Sequence, residues 1–289
     1  MDLIISTFQF LIVYNFDKNK WFVIHQNDGV YFGLAKYKDW IIAGKRNTDS
    51  LIVSDIKKIG ASFIILNKQL KVIDEIKPKF PIRDLHGIKV INDELWVTSC
   101  FDNIIGIYNF LDHSWRYWLP ETNINEIKEV NQDLISKLKN NKTKDVNHFN
   151  SININNNYLN LVAHNWGESE IYFYNLKNLQ FIKKIKLGIK SHDIWYRGDE
   201  IFTLSSQTGQ IISSKHFKLN VGGFLRGFTS NKNRIFFGSN EFKSDKKNRK
   251  TSSFYIKSCN NNFKETKNYF FKGLGDVMDI LYIDNLNYL

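Results

Sequence analysis

Short apolar runs rich in Ile, Val, Phe and Tyr alternate with polar clusters along the whole chain. Runs of this length and β-branched content predict strands joined by tight turns rather than helices. One phrase is written three times: YNFDKNKW from Tyr14 to Trp21, YNFLDHSW from Tyr108 to Trp115, and YNLKNLQF from Tyr174 to Phe181. Each copy ends one apolar run and opens another, so each reads as the outer hairpin of a repeated sheet unit. Trp21 and Trp115 share a phase in this phrase and are expected in the packing of the sheets.

A second period marks the inner half of the unit. Gly33, Gly87, Ser151, Asp193, Gly227 and Asp279 are each followed by an apolar residue. Eight positions beyond the first five stand Ile41, Leu95, Leu159, Ile201 and Ile235, after turns such as INDEL, NNNYL, RGDEI and NKNRI. The marks lie 54, 64, 42, 34 and 52 residues apart, so the loops vary while the hairpin does not. Six units of about 48 residues match the four-stranded blade of a propeller. The sixth unit holds one strand, ILYID, whereas the N-terminal LIIST precedes an outer phrase that lacks an inner strand of its own. Joined, the two fragments make one blade, and closing a ring removes the free sheet edges. The expectation is an all-β, six-bladed β-propeller, a single domain over residues 1–289, with Leu3–Thr7 paired to Asp279–Ile283. A sandwich or two smaller β domains is the alternative.

The 64-residue step carries an insertion. Ile124, Ile127, Val130, Leu134 and Leu138 recur at helical spacing, with Glu126 and Glu129 early and Lys137 and Lys139 late, which predicts one helix near 124–138. The 52-residue step carries FKSDKKNRKTSS, the densest basic run, expected to be a solvent-exposed, mobile loop.

Composition changes this picture little. The formal net charge of +11 comes from scattered residues, and the short basic run lacks interleaved aromatics, which argues against a nucleic-acid partner. No apolar run approaches a membrane span and no basic secretory leader is visible, so a cytoplasmic location is expected. Cys100 and Cys259 form no CxxC pair, and a structural role is expected for each.

Candidate chemistry follows from the fold. In a propeller the first strands of all blades converge on a central channel. The residues just before the marks include His86, Asn150, His192 and Arg226; three before stand Asp84, His148 and Asp276. His86, His148 and His192 are remote in sequence but would meet near the axis, where three imidazoles suit one divalent ion, Zn, Mn or Fe. Asp84, Asp193 and Asp276 could complete or orient such a shell. A metal-free alternative uses His86 or His192 as general base and Arg226 as clamp for a carboxylate or phosphate. A second polar set (Arg46, Asp102, His164, Asn165, Gln207, Asn240 and Glu241) follows the second strands and reads as one rim of the channel. In that rim Trp166 could stack on a sugar. Two function classes stay open: a lyase or hydrolase acting on a polar, anionic or sugar-like small molecule, and a noncatalytic scaffold that binds a protein partner. Polar channel residues that merely bond one another would suit the second.

The phrases DLHGIKVINDELWVTSC, SHDIWYRGDEIFTLSSQTGQI and FLRGFTSNKNRIFFGSNE resemble an uncharacterised group of bacterial six-bladed β-propeller proteins. That group carries H-G-[IL] before G/N-D-E-L-W, and later R-G-[LF] before a turn and a strand; the resemblance covers most of residues 84 to 242. More distantly the chain is similar to gluconolactonase-like and streptogramin-lyase-like propellers. That likeness implies a site on the channel axis and a divalent metal. The first family coordinates calcium mainly through carboxylates and amides, and the axial positions here are richer in histidine; the second combines histidine with glutamate.

Overall fold

A computed structural model describes residues 1–26, 29–48, 59–120, 125–140, 145–242, 246–284 and 286. Its strands form six sheets arranged as the blades of a propeller. In chain order, β1 (Asp2–Thr7), β2 (Phe10–Asn15) and β3 (Lys20–Gln26) belong to the first blade. The second holds β4 (Val30–Tyr37), β5 (Trp40–Arg46), β6 (Ala61–Leu66) and β7 (Val72–Ile76). The third holds β8 (Leu85–Ile91), β9 (Glu94–Ser99), β10 (Ile104–Asn109), β11 (Trp115–Trp118) and a short fifth strand, β12 (Lys128–Glu129). The fourth holds β13 (Phe149–Asn155), β14 (Tyr158–Ala163), β15 (Glu168–Asn175) and β16 (Phe181–Ile189). The fifth holds β17 (Ser191–Arg197), β18 (Glu200–Ser205), β19 (Gln210–Ser213) and β20 (Lys218–Asn220). The sixth holds β21 (Phe224–Ser230), β22 (Arg234–Asn240), β23 (Phe254–Asn260) and β24 (Lys267–Phe271). The last strand, β25 (Val277–Ile283), returns to the first blade and pairs antiparallel with β1, from Asp2 opposite Ile283 to Thr7 opposite Val277. The split unit therefore closes the ring by the pairing of the two terminal segments that was expected.

The recurring phrase has a local cause. Asn15, Asn109 and Asn175 each turn the side-chain carbonyl back onto the loop and accept the amide of Lys18, Leu111 and Lys177, respectively. The residue five beyond each tyrosine, Asn19, His113 or Leu179, is left-handed. An Asn side chain that mimics a backbone turn is what such loops select.

The six marked residues form a ring in which each inner strand touches the next. Every inner strand carries a register shift at or beside its mark. A Cβ on Gly87 would lie 2.6 Å from the Asn150 carbonyl oxygen of the neighbouring blade. Gly227 has φ +69°, and a Cβ there would lie 2.8 Å from the Asp279 Cα. Where the mark is not glycine it bonds instead. The Asp193 amide donates to Ser151 Oγ at 2.9 Å, and the Leu34 amide donates to Asp279 Oδ2 at 2.7 Å.

Two expectations need correction. The inserted helix α1 spans Gln132–Asn140, not 124–138. Asn131 Oδ1 accepts the Leu134 amide at 2.9 Å and so starts the helix late, while Lys128 and Glu129 join β11 as strand. Leu134 and Leu138 are buried, and Ile127 and Val130 pack on separate apolar clusters; one periodic run thus served two elements. Ile124 lies outside the described residues. Trp21 is not core: it is 44% exposed on the outermost strand, whereas Trp115 is buried with Phe63 and Phe80 in the cluster that includes the α1 leucines. The shared phase sets the strand position, but only the third blade has added structure to cover it. No helix among the described residues is long and apolar enough to cross a membrane.

Candidate functional site

The site is built by inner-strand starts that share one backbone device. Asp84 and Lys190, three before their marks, adopt left-handed φ of 57° and 49°. Their carbonyls then face the imidazole two residues on: His86 Nδ1 lies 3.0 Å from the Asp84 oxygen and His192 Nδ1 3.1 Å from that of Lys190. In the fourth blade the left-handed residue is His148 itself, φ 49°. Its position before the mark is taken by Asn150, whose Nδ2 donates to the Ser191 carbonyl at 2.8 Å and fastens the next blade. So His148 reaches the same space from a different position.

The three histidines and His164 form a connected group. Ring centres are 4.6 Å apart for His86 and His148, 6.5 Å for His86 and His192, 5.0 Å for His148 and His164, and 5.6 Å for His164 and His192. His86 Nε2 and His148 Nε2 are 3.3 Å apart. His148 Nδ1 is 2.8 Å from Asp145 Oδ2. Burial first, then His148 and Arg46, holds His86 well below the ordinary imidazole range; burial, then Arg226 and His164, does the same to His192. Both are therefore neutral near pH 7. His192 Nε2 is buried without a hydrogen-bond partner among the described residues.

His86, His148 and His164 line a cavity of about 290 Å³ at the channel mouth, whose walls also include Asp84, Trp166, Arg226 and Asp276. A deeper axial cavity of about 50 Å³ meets it at His86 and Arg226 and is lined by Asn150, His192 and Asp193 as well. Trp166 stands 51% exposed at the rim, 4.7 Å from His148 ring to ring, with Nε1 donating to the Asp145 carbonyl. Asn165 and Trp166 are consecutive left-handed residues, a costly backbone retained at this rim. In the deeper cavity Asp193 is pushed up to about 6 by burial, and burial together with Asp193 holds Asp279 well above the ordinary carboxylate range.

The arginines differ in what they face. Arg46 pairs with Asp84, and Arg249 Nε with Asp276 Oδ2 at 3.1 Å. Arg226 is buried too, yet no carboxylate among the described residues pairs with it. Its Nη1 donates only to the Met278 sulfur at 3.3 Å, its Nε is unsatisfied, and the rings of Phe32 and Phe224 lie 5.5 Å from the guanidinium carbon. Burial, reinforced by Arg249, lowers it to about 9.

Sequence reasoning missed Cys100, Asp145 and Arg249. Cys100 contributes with Asp84, His86 and His148 to a cluster whose potential ligand atoms all lie within 4.8 Å of one another, and which can hold a divalent metal. His192 is outside that group of four. Asp145 and Arg46 act on it from behind, and Arg249 comes from the basic run, turned inward rather than free in solvent; residues 243–245 of that run lie outside the described residues. Arg46, read from the sequence as a rim residue closing a second strand, does line the mouth. The donor chemistry fits an ion that favours imidazole, such as Zn, and not a calcium shell of carboxylates.

No protein-family model and no curated protein matches the sequence. The fold is similar to a chain in the crystal structure of a nidogen/laminin complex, with a TM-score of 0.64 and 10% identity over 96% of this chain and 97% of that one. It is also similar to a protein of unknown function from Bacteroides caccae, with a TM-score of 0.57 and 12% identity over 96% and 97%. At such identities the likeness is one of fold: the chain is a six-bladed β-propeller.

Proposed function

We propose that the chain is a small-molecule-binding propeller and an enzyme, a lyase or hydrolase, acting on a polar, anionic, sugar-like substrate in the channel mouth. The observation that carries this reading is Arg226. A buried ion costs several kcal/mol to desolvate, and the neighbouring carboxylates are already spent on Arg46 and Arg249. A substrate carboxylate or phosphate supplies the missing bidentate partner. Phe32 and Phe224 hold the guanidinium in place, and the half-exposed Trp166 offers a face to a sugar ring. The metal that the resemblance implies would be held among His86, His148, Asp84 and Cys100. When bound, such an ion polarises a substrate oxygen. The chain's own groups bind and orient the anion at Arg226; without an ion, the neutral imidazole of His86 or His192 is the group that takes a proton. A mouth cavity ringed by imidazole, guanidinium and carboxylate side chains favours a small polar ligand.

Calorimetric titration with glucuronate and with inorganic phosphate tests it. Both should bind the wild-type chain, and Arg226→Met should weaken binding at least about tenfold, the loss of a charge-assisted pair. Equal binding by the two proteins, or none by the wild type, overturns the reading.

A further inference from the structure

We propose that a divalent ion is bound by three imidazoles, through Nε2 of His86, His148 and His192, and that Cys100, Asp84 and Asp145 stand behind the rings and do not coordinate it. The inference deepens the reading of the channel mouth as a ligand site and rests on it. It changes both the donor set and the side from which the ion is reached.

The tautomers decide the matter. A neutral imidazole has one N–H, and its location follows from what each nitrogen faces. His86 Nδ1 faces the Asp84 carbonyl at 3.0 Å, which can only accept. His148 Nδ1 faces Asp145 Oδ2 at 2.8 Å, another acceptor. His192 Nδ1 lies between the Lys190 carbonyl and Ser206 Oγ, and the Ser206 hydroxyl is committed to the Leu225 carbonyl at 2.6 Å. All three protons therefore sit on Nδ1, and all three Nε2 lone pairs are left over. Two of these, on His86 and His148, face each other at 3.3 Å. Lone pairs in contact repel unless a cation lies between them. Two nitrogens each about 2.0–2.1 Å from one tetrahedral zinc are separated by about 3.3–3.4 Å. The third, on His192, is buried and bonded to nothing among the described residues. A proton shared by His86 and His148 would satisfy two of the three; a metal ion satisfies all.

The other donors are on the wrong side. Cys100 Sγ donates to the Phe149 carbonyl at 2.9 Å and lies 3.3 Å from His86 Nδ1, the nitrogen that points away from the ion. Asp84 is taken by Arg46, and its oxygens lie 3.7 and 3.9 Å from Nδ1 of His86 and His148. Backbone and carboxylate acceptors on the far nitrogen are the usual second layer of histidine-bound metals. With three neutral ligands the ion keeps its full charge. It then shares the cavity with Arg226, so the matching ligand is an oxyanion that bridges the two.

The test uses the tag-free full chain, stripped with a chelator and titrated with Zn2+ and, separately, Co2+. One ion should bind per chain. The Co2+ protein should lack the near-ultraviolet thiolate-to-cobalt band, a result that depends on no variant. His86→Gln, His148→Gln and His192→Gln should each weaken Zn2+ by more than about 100-fold, Asp145→Asn by about tenfold, and Cys100→Ser hardly at all. A thiolate band that Cys100→Ser removes, full affinity in His192→Gln, or no ion bound by the wild type each overturns the proposal. If Zn2+ fails to bind while glucuronate still requires Arg226, the donor set falls and the anion site stands. If Zn2+ binds as described but no anion does, the donor set stands and the substrate reading falls.

Discussion

Replacing Arg226 by Met should make the protein more stable and unable to hold an anion. The side chain is buried, and among the described residues its Nε has no hydrogen-bond partner and its polar contact is to a sulfur, a weak acceptor. An unsatisfied buried donor costs roughly 1–3 kcal/mol, while repulsion from Arg249 and Arg46 is offset by attraction to Asp276 and Asp84. Against this stand two ring contacts at 5.5 Å, worth about 0.5–1 kcal/mol each. Methionine fills similar volume among Phe32, Phe224 and Met278. The balance is a gain of about 1 kcal/mol, or about 2–4 °C in Tm for a chain of this size. Thermal unfolding at low phosphate, followed by circular dichroism, reads it. In glucuronate the order should reverse, because only the wild-type chain binds and is stabilised. A Tm for Arg226→Met several degrees below wild type without ligand would show that Arg226 is a structural strut, and the argument from an uncommitted charge would collapse.

Deleting residues 1–7 removes β1 and with it the fully buried Leu3, Ile4 and Ile5; at about 1.5–3 kcal/mol each the loss is of the order of the whole folding stability. The truncated chain should be insoluble or melt with no cooperative transition, and melting like the full chain would refute closure by β1 and β25. Stability should also fall between pH 9 and 11 through Cys259. Burial pushes its thiol up to about 11, so the unfolded chain releases the proton first and the difference, roughly 2–3 kcal/mol at most, is lost as pH rises through that window. Denaturant midpoints of Cys259→Ala against wild type from pH 8 to 11 should converge as the wild type loses its advantage.

The ring was legible because its causes are local. A turn that needs Asn at one place and a left-handed residue at another writes the same phrase wherever an outer hairpin recurs. An inner strand that must touch its neighbour at one level demands Gly, Ser or Asp there. His86 and His192 could be placed for the same reason, since both precede a mark. His148 was legible as the residue three before its mark, whereas Asp145, Cys100 and Arg249 enter the site with no shared period, and nothing in their spacing announces it. The helix boundary was misjudged because apolar period alone cannot distinguish Ile127 and Val130 beside a strand from the next helical turns; the cap at Asn131 decides. Trp21 shows the converse, a correct strand position whose exposure depends on whether anything covers the blade.

The glycine contacts around the axis have a mechanical consequence. Where Gly87 meets the Asn150 carbonyl and Gly227 meets Asp279, main chain rests on main chain, with no side-chain rotamers between blades to absorb a shift. The walls of the mouth begin at this hub, within four residues of its marks. An arriving ligand thus meets a socket of nearly fixed bore, with little ordering to pay for. Discrimination should then follow ligand dimensions sharply: a guest one methylene too wide has no hinge to open, and affinity across a homologous series should fall as a step rather than a slope.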